Sequence, residues 1–388
     1  MSEVRVNNLS NENNTGGPTI SGITTFSSPH FFVPPQGDTA SRPSSCPPGS
    51  LRFNTDSSHL EYYRGDTIGW VEIEAELTEP LGGGTGSNTG LGTRGIFANG
   101  QVAPSTGTYT NHIEFYTIPS LGNGQTFGDT TVTRSHSSSM ASRTRCVFSS
   151  GYNSNNVMDF ITIASTGDAT DFGDNTTSAD STTAASTEIR GLMVGGSSTN
   201  IISYITIATT GNALDFGDIT RAHNNMAGAS SSTRGVFAGG GASDNEYNTI
   251  DFVTIATTGN ASDFGDLTHT TTVNCAGGSN STRMIVAGGA DTPSYNMVNN
   301  IDFLTIATTG TNASDFGDLT DQTNACGAMS SPTRCVIKLG VAGPGNSTTT
   351  NVVDFIQFAT TGNSVDFGDS FNQTYGVGEG ISNGHGGL

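Results

Sequence analysis

Basic side chains are scarce in this chain, which has 14 Lys and Arg against 34 Asp and Glu and a net charge of −20 over 388 residues. The electrostatic field of a chain with this negative charge repels nucleic-acid phosphates and anionic lipid head groups. We therefore expect neither nucleic acid as a partner nor membrane insertion. There is no run of 18 apolar residues, and residues 1–14 lack the basic start and apolar stretch of a signal peptide. We expect the chain to be made and folded in a cytoplasm.

Cysteine is sparse as well. The five Cys residues include no CxxC pair, so neither a disulfide framework nor a zinc site is indicated. Cys146 and Cys335 both follow a recurring Arg, and we expect them to be small buried thiols. GxSxG, HExxH and HRD motifs are also missing. The sequence thus predicts no catalytic residue, no cofactor and no metal ligand.

What the chain does have is a repeat. Six Arg residues follow one another at intervals of 51, 45, 44, 49 and 51 positions. An aromatic-Gly-Asp turn recurs in step with them, and such a period is typical of propeller blades or solenoid units. The recurring Arg residues are Arg94, Arg145, Arg190, Arg234, Arg283 and Arg334. The recurring Asp residues are Asp129, Asp174, Asp218, Asp266, Asp318 and Asp369.

One repeat predicts one four-stranded sheet. The copy from Ile219 to Asp266 has four short segments separated by Gly, Asn or Ser. Its first segment has almost no β-branched or aromatic residues, and Ala227, Gly228 and Ala229 suit the innermost strand of a blade. The other three segments carry β-branched and aromatic residues. Residues after Asp369 supply one further strand, so we expect Tyr375 to Ser382 to complete the blade begun at Arg94. The prediction is an all-β fold with a six-bladed β-propeller over residues 93–388.

Glycine pairs follow the second segment in three copies, at Gly195-Gly196, Gly239-Gly240 and Gly288-Gly289. Together with the aromatic turn, this pattern resembles kelch-type propeller repeats over about three-quarters of the chain. The turn has Phe where kelch repeats have Trp, and the other three copies lack the glycine pair. The resemblance implies a fold and no particular function.

The amino-terminal quarter differs in composition. Residues 1–50 hold seven of the 13 Pro residues, which predicts an extended arm. Residues 51–75 contain two apolar and aromatic runs around a polar turn, which predicts a β-hairpin docking module. A Gly-rich linker over 76–92 follows. The candidate docking residues are Leu60, Tyr62 and Trp70, the only Trp.

This module is similar to one found in tail-fibre and related structural proteins of tailed marine phages. The pattern consists of Leu51, Arg52, Asn54, Leu60, Glu61, Tyr62, Gly65, Trp70 and Val71. The resemblance implies a virion protein that contacts other virion proteins through residues 1–75 and forms a homo-oligomer in the assembly. Two alternatives stay open: a capsid or tail decoration protein, and a glycan-active enzyme that uses the propeller face.

One loop carries nearly all the length variation between repeats. From the recurring Arg to a polar residue of the third strand, the count is 20, 14, 13, 17, 19 and 20, while the other connections are almost constant. Variable loops on a fixed scaffold are where binding surfaces arise, so this face is predicted to bind a host glycan or a protein. The candidate binding residues are Tyr109, Asp244, Glu246, Tyr247, Tyr295 and Asn296.

The recurring markers themselves are expected to be structural. The planar fork of each Arg suits a pair with the repeating Asp or with carbonyls at strand ends, and the sequence leaves both partners open. The DFG string occurs five times, which indicates a repeated turn. Calcium held between neighbouring turns stays open as an alternative.

Overall fold

The computed structural model describes residues 34–44, 46–56, 59–73, 93–102, 108–153, 156–242, 245–269, 273–291, 296–342, 348–375 and 380–388. Within these ranges the fold is all-β, built from several small sheets and without a helix. The chain divides into two compact units, Met1–Glu76 and Leu77–Leu388. In the part of the chain that is described, no helix is long and apolar enough to cross a membrane.

The first unit contains the N-terminal sheet. Its strands, in spatial order, are Gln36–Gly37, Leu51–Asn54, His59–Tyr63 and Trp70–Ile73. The first pair is parallel and the others are antiparallel. Part of the stretch expected to be an extended arm therefore belongs to the sheet. It does so because the Phe53 N–H donates to the Pro35 carbonyl at 2.8 Å and Arg42 pairs with the buried Glu61 at 2.6 Å.

The second unit contains six sheets built to one plan, in which an inner, a second, a third and an outer strand are joined in antiparallel order. Sheet 2 comprises Ser138–Ala141, Arg145–Ser149, Val157–Thr162 and Thr170–Asp174. Sheet 3 comprises Thr183–Ser186, Arg190–Val194, Ile201–Thr206 and Leu214–Asp218. Sheet 4 comprises Ala227–Ser230, Arg234–Ala238, Thr249–Thr254 and Ser262–Asp266.

Sheets 5 and 6 follow the same order. Sheet 5 comprises Ala276–Ser279, Arg283–Ala287, Asn296–Thr305 and Ser314–Asn324. Sheet 6 comprises Gly327–Ser330, Arg334–Lys338, Val352–Gln357 and Val365–Asp369. Short additional strands extend the loops between second and third strands: Gly241–Ala242, Asn245–Glu246, Ala290–Asp291, Val341–Ala342 and Thr348–Thr349.

Sheet 1 is assembled from two distant parts of the chain. Its second, third and outer strands are Arg94–Val102, Tyr109–Thr117 and Gln125–Asp129. Its inner edge is formed by Thr374–Tyr375 and Ile381–Ser382, which pair with the second strand. Ile381 lies opposite Ile96 and Tyr375 opposite Gln101, so both ends of the stretch expected to complete this sheet pair with it.

The hydrophobic core lies between the sheets. Six clusters of buried residues are present, one at each contact between neighbouring sheets, and we call each such contact a seam. The seam between sheet 6 and sheet 1 includes Phe97, Tyr116, Met329 and Val336. Cys146 and Cys335 are buried in these clusters, as expected, and burial raises the pKa of the Cys335 thiol to about 12.

Candidate functional site

Each recurring Arg connects its own sheet to the next. Its Nη1 donates to a backbone carbonyl just after the third strand of the next sheet, at 2.5 to 3.1 Å. Its guanidinium carbon lies 4.2 to 5.1 Å from an aromatic ring centroid on its own third strand. Among the described residues no ion pair joins a recurring Arg to a recurring Asp, so the partner is the carbonyl. The acceptors are Ile163, Ile207, Ile255, Ile306, Phe358 and Ile118.

The recurring Asp residues form a second set of links. Each donates its backbone N–H to a side-chain oxygen in the next sheet's turn between third and outer strands, at 3.1 to 3.2 Å. The acceptors are Asp168, Asn212, Asn260, Asn312, Asn363 and Asn123. Within the described ranges, no group of three His, Cys, Asp or Glu side chains is placed to hold a metal ion.

A third set of links was not anticipated from the sequence. A β-bulge in each third strand precedes one buried polar residue, and this residue is hydrogen-bonded to the connection that leaves the preceding sheet. Five of these residues accept: Glu114 from Phe371, Asp159 from Thr131, Asp251 from Thr220, Asp302 from Thr268 and Asp354 from Thr320. In the sixth contact the hydroxyls of Ser203 and Thr176 share a hydrogen bond. The signal that could have revealed them is a Thr two positions after the recurring Asp in five copies.

The inner strands are joined by serine. Ser230, Ser279 and Ser330 each donate a hydroxyl to a carbonyl of the preceding sheet's inner strand at 2.7 Å, and Ser382 donates to Ser330. His385 follows, with Nε2 3.0 Å from the Ala141 carbonyl and Nδ1 accepting from the Gly387 N–H at 3.1 Å. The C-terminal residues thereby contact sheets 2 and 6 together.

Two cavities lie among the inner strands. One is lined by the serines and by His385. The lining of the other includes five residues in the left-handed conformation: His136, Ser181, Asn225, Asn274 and Ala325. The described residues that line the two cavities include no Asp or Glu. They therefore do not offer the carboxylate pair that glycoside hydrolysis requires.

The residues expected on the variable-loop face are only partly described. Asp244 and Tyr295 lie outside the described residues, and Glu246 is described by its backbone alone, in the strand Asn245–Glu246. Asn296 begins the third strand of sheet 5 and is exposed. Tyr109 begins the third strand of sheet 1, whereas Tyr247 lies in the loop before the third strand of sheet 4.

Each of these two tyrosines forms a small aromatic group with residues that the sequence did not single out. The Tyr109 ring centroid lies 5.6 Å from that of Tyr152, which is 53% exposed. Tyr152 is held in place because its N–H donates to the Ser135 carbonyl at 2.8 Å. The Tyr247 ring stacks on His223 at 4.8 Å. Tyr152 lies in one of the shorter loops, whereas the expectation rested on the longer ones.

The Tyr247 group also contains a guanidinium. The Arg221 guanidinium carbon lies 5.2 Å from the Tyr247 centroid. Burial lowers the pKa of His223, whose Nδ1 lies 3.0 Å from the Gly239 carbonyl, so the ring that faces Tyr247 is held neutral. The group therefore presents an aromatic surface beside one exposed cation, which suits contact with a polar or aromatic partner.

The N-terminal sheet turns its polar side inward and its apolar side outward. Arg52, Asn54 and Glu61 are buried on one face, where Arg52 donates to the Asp38 carbonyl at 3.0 Å. On the other face Leu51 is 50% and Leu60 is 40% exposed. We call this second face the apolar face; its members are Leu51, Phe53, Leu60, Tyr62 and Val71.

The three candidate docking residues are divided between the two faces. Leu60 and Tyr62 lie on the apolar face, opposite Phe53 and Leu51. Trp70 lies on the polar face, where its Nε1 donates to the Pro43 carbonyl at 3.0 Å and its ring lies 5.4 Å from that of Tyr63. Trp70 therefore holds the preceding segment against the sheet and is not part of the outward surface.

Comparison with protein-family models and with curated proteins finds no match for the chain.

Proposed function

We propose that this chain is a non-enzymatic structural protein of a phage virion, which anchors through its N-terminal sheet and displays the second unit as a rigid platform. The tail fibre, tail or baseplate is the site that the sequence resemblance favours. The observation that carries the proposal is the apolar face. Exposed apolar patches of this kind mark interaction sites in soluble proteins.

We infer that the second unit is a closed, six-bladed, kelch-like β-propeller. Three sets of links support this inference: the Arg, Asp and third-strand contacts each join every sheet to the next and also join sheet 6 to sheet 1. The closing Arg and Asp contacts have the same chemistry as those at the other seams, as a ring of equivalent blades requires. Such a ring presents its variable loops on one face, where the Tyr109 and Tyr247 groups are available to a host glycan or another virion protein.

The anchoring proposal predicts that the full chain with Leu51→Ser and Leu60→Ser folds but no longer joins its particle. Burial of each Leu contributes about 1.5–3 kcal/mol, so loss of both contacts should reduce incorporation by about tenfold or more. The measurement is the fraction of protein that co-sediments with assembled particles, with circular dichroism as the check on folding.

The matched control replaces two exposed apolar residues of the second unit, Leu121→Ser and Ile189→Ser, which are 60% and 69% exposed. This control should be incorporated like the wild type. Equal incorporation of both double variants would show that the apolar face is not the anchor. A loss of incorporation by the control alone would assign anchoring to the second unit.

A further inference from the structure

The seam between sheet 6 and sheet 1 differs from the other five in how the chain reaches it. At the other seams, the second, third and outer strands of the two sheets come from consecutive repeats. At this seam the residues in contact are far apart in sequence, as with the Arg334 Nη1 and the Ile118 carbonyl, 216 positions apart and 3.1 Å from each other. Chain connectivity therefore does not decide which sheet packs against the far side of sheet 6.

A buried ion pair lies at this seam. Lys338 Nζ donates to Glu114 Oε1 at 2.6 Å, and the two residues are 2% and 3% exposed. Lys338 ends the second strand of sheet 6, where the other five second strands have a small or apolar residue at the equivalent position. Those residues are Ala98, Ser149, Val194, Ala238 and Ala287. This position carries a cation in sheet 6 and in no other repeat.

The partner on sheet 1 is equally distinct. In four of the other seams an Asp at the position of Glu114 accepts from both the N–H and the hydroxyl of a Thr, as Asp354 does from Thr320. At this seam the Thr is replaced by Phe371, which donates only its N–H, to Glu114 Oε2 at 2.8 Å. Glu114 Oε1 is thus left for Lys338.

A wrong neighbour would leave one of these charges without its partner. If sheet 6 packed against sheet 3, Lys338 would face the neutral Ser203 at the position of Glu114. Against sheets 2, 4 or 5 it would face an Asp, so selection against those sheets rests on Glu114, which would lose its cation. If another sheet packed against sheet 1, Glu114 would be buried without a cation. Buried charges without partners are strongly destabilising, and their best-attested use is to fix which elements pair.

We propose that the ion pair of Lys338 with Glu114 selects sheet 1 as the neighbour of sheet 6, so that six similar repeats close in one arrangement. The inference concerns assembly of the second unit and is independent of where the protein is anchored. Proteins built from similar repeats characteristically fail by misassembly. An ion pair that selects the correct neighbour of sheet 6 would reduce this failure.

The test compares refolding of full-chain variants from denaturant. Lys338→Met with Glu114→Leu replaces the pair by apolar residues, and Lys338→Glu with Glu114→Lys exchanges the charges. Native mass spectrometry measures the oligomeric state, and hydrogen exchange measures protection of Arg94–Val102 and Val365–Asp369. The control, Arg143→Met with Glu188→Leu, removes an exposed ion pair between sheets 2 and 3.

We expect the apolar variant to recover the wild-type species with a yield lower by about threefold or more, the remainder being oligomers or chains unprotected in those two strands. The charge-exchanged variant and the control should refold like the wild type. A wild-type yield from the apolar variant would overturn the proposal. If the apolar variant is not obtained folded, Lys338→Gln with Glu114→Gln is judged by the same criterion.

Discussion

The recurring Arg makes two contacts that few exposed side chains could replace. In sheet 4, the Arg234 guanidinium carbon lies 5.0 Å from the Phe252 ring centroid, and its Nη1 donates to the carbonyls of Ile306 and Ala307 at 2.8 and 2.9 Å. Both acceptors belong to sheet 5, so one side chain connects two sheets. Its loss would remove hydrogen bonds from carbonyls at the seam, which is more costly than the loss of a solvated charge.

We therefore predict that Arg234→Ala destabilises the second unit by about 1–3 kcal/mol in urea unfolding. Arg64→Ala is the control, because Arg64 is exposed. It should change the free energy of unfolding by less than about 0.5 kcal/mol. Equal losses in the two variants would mean that the carbonyl contacts contribute no net stability.

His385 predicts a dependence of stability on pH. Burial lowers the pKa of His385 to about 4, and its neutral ring accepts from the Gly387 N–H. The unfolded chain takes up this proton near pH 6.5, so the contribution of His385 is complete above about pH 6.5 and is lost as the pH falls towards 4. The full loss amounts to about 3 kcal/mol.

The measurement for His385 is the difference in unfolding free energy between pH 7 and pH 5. His385→Gln keeps a donor for the Ala141 carbonyl but cannot titrate. This variant should lose less stability than the wild type over the same pH interval. The same loss in both proteins would show that His385 is not the group responsible.

At the scale of structural elements, the turn that ends each repeat is fixed by a close approach between sheets. Gly217 has φ +148°, and a Cβ on it would lie 2.5 Å from the Gly259 carbonyl oxygen of the next sheet. Gly259 has a similar φ of +155° with open space where its Cβ would be. The two glycines thus differ in packing and share the same backbone conformation.

Because backbone strain is common to both positions, Gly217→Ala should destabilise the protein by about 2 kcal/mol more than Gly259→Ala. Thermal or urea unfolding of the two variants measures this difference. Equal effects would indicate that the turns move apart without cost and that the seam is loosely packed there.

The elements were predictable from sequence to different degrees. The period of the Arg and Asp markers predicts the positions of the strands, and the small residues of Ala227–Ser230 predict an inner strand. The contacts between sheets were not predictable, because their partners lie far apart in sequence, as with Lys338 and Glu114, 224 positions apart. Spacing along one repeat carries no information on which atoms face the next.

The N-terminal sheet shows a second limit of the sequence. Alternation of polar and apolar residues in Leu51–Asn54 predicts a two-sided strand. It does not predict which side is covered, and the usual expectation is that the apolar side faces inward. Here Glu61 is buried because two guanidinium groups, of Arg42 and Arg52, compensate its charge. Arg42 lies in the segment that precedes Leu51–Asn54, and tertiary contacts hold this segment in place.

At the scale of the whole molecule, part of the acidic charge lies on the outer strands of the sheets. Five outer strands carry an exposed Asp two positions before the turn glycine, in addition to the recurring Asp after it. They are Asp171, Asp215, Asp263, Asp315 and Asp366. The next sheet covers the other edge of these strands, as where the N–H groups of Gly259 and Ala261 donate to the Phe216 and Asp218 carbonyls at 2.8 and 2.7 Å. The exposed carboxylates beside this edge add like charges, which oppose pairing with another chain.

The C-terminal residues contact sheet 6 and sheet 1 together, since Ser382 donates to the Ser330 carbonyl and lies opposite Gly95. Ending the chain after Asp369 removes Ile381–Ser382 and His385, and leaves the inner edge of Arg94–Val102 unpaired. Thermal unfolding with light scattering tests this most directly. We predict a midpoint lower by about 5 °C or more, with aggregation through the exposed strand edge. An unchanged midpoint without scattering would contradict closure through these residues.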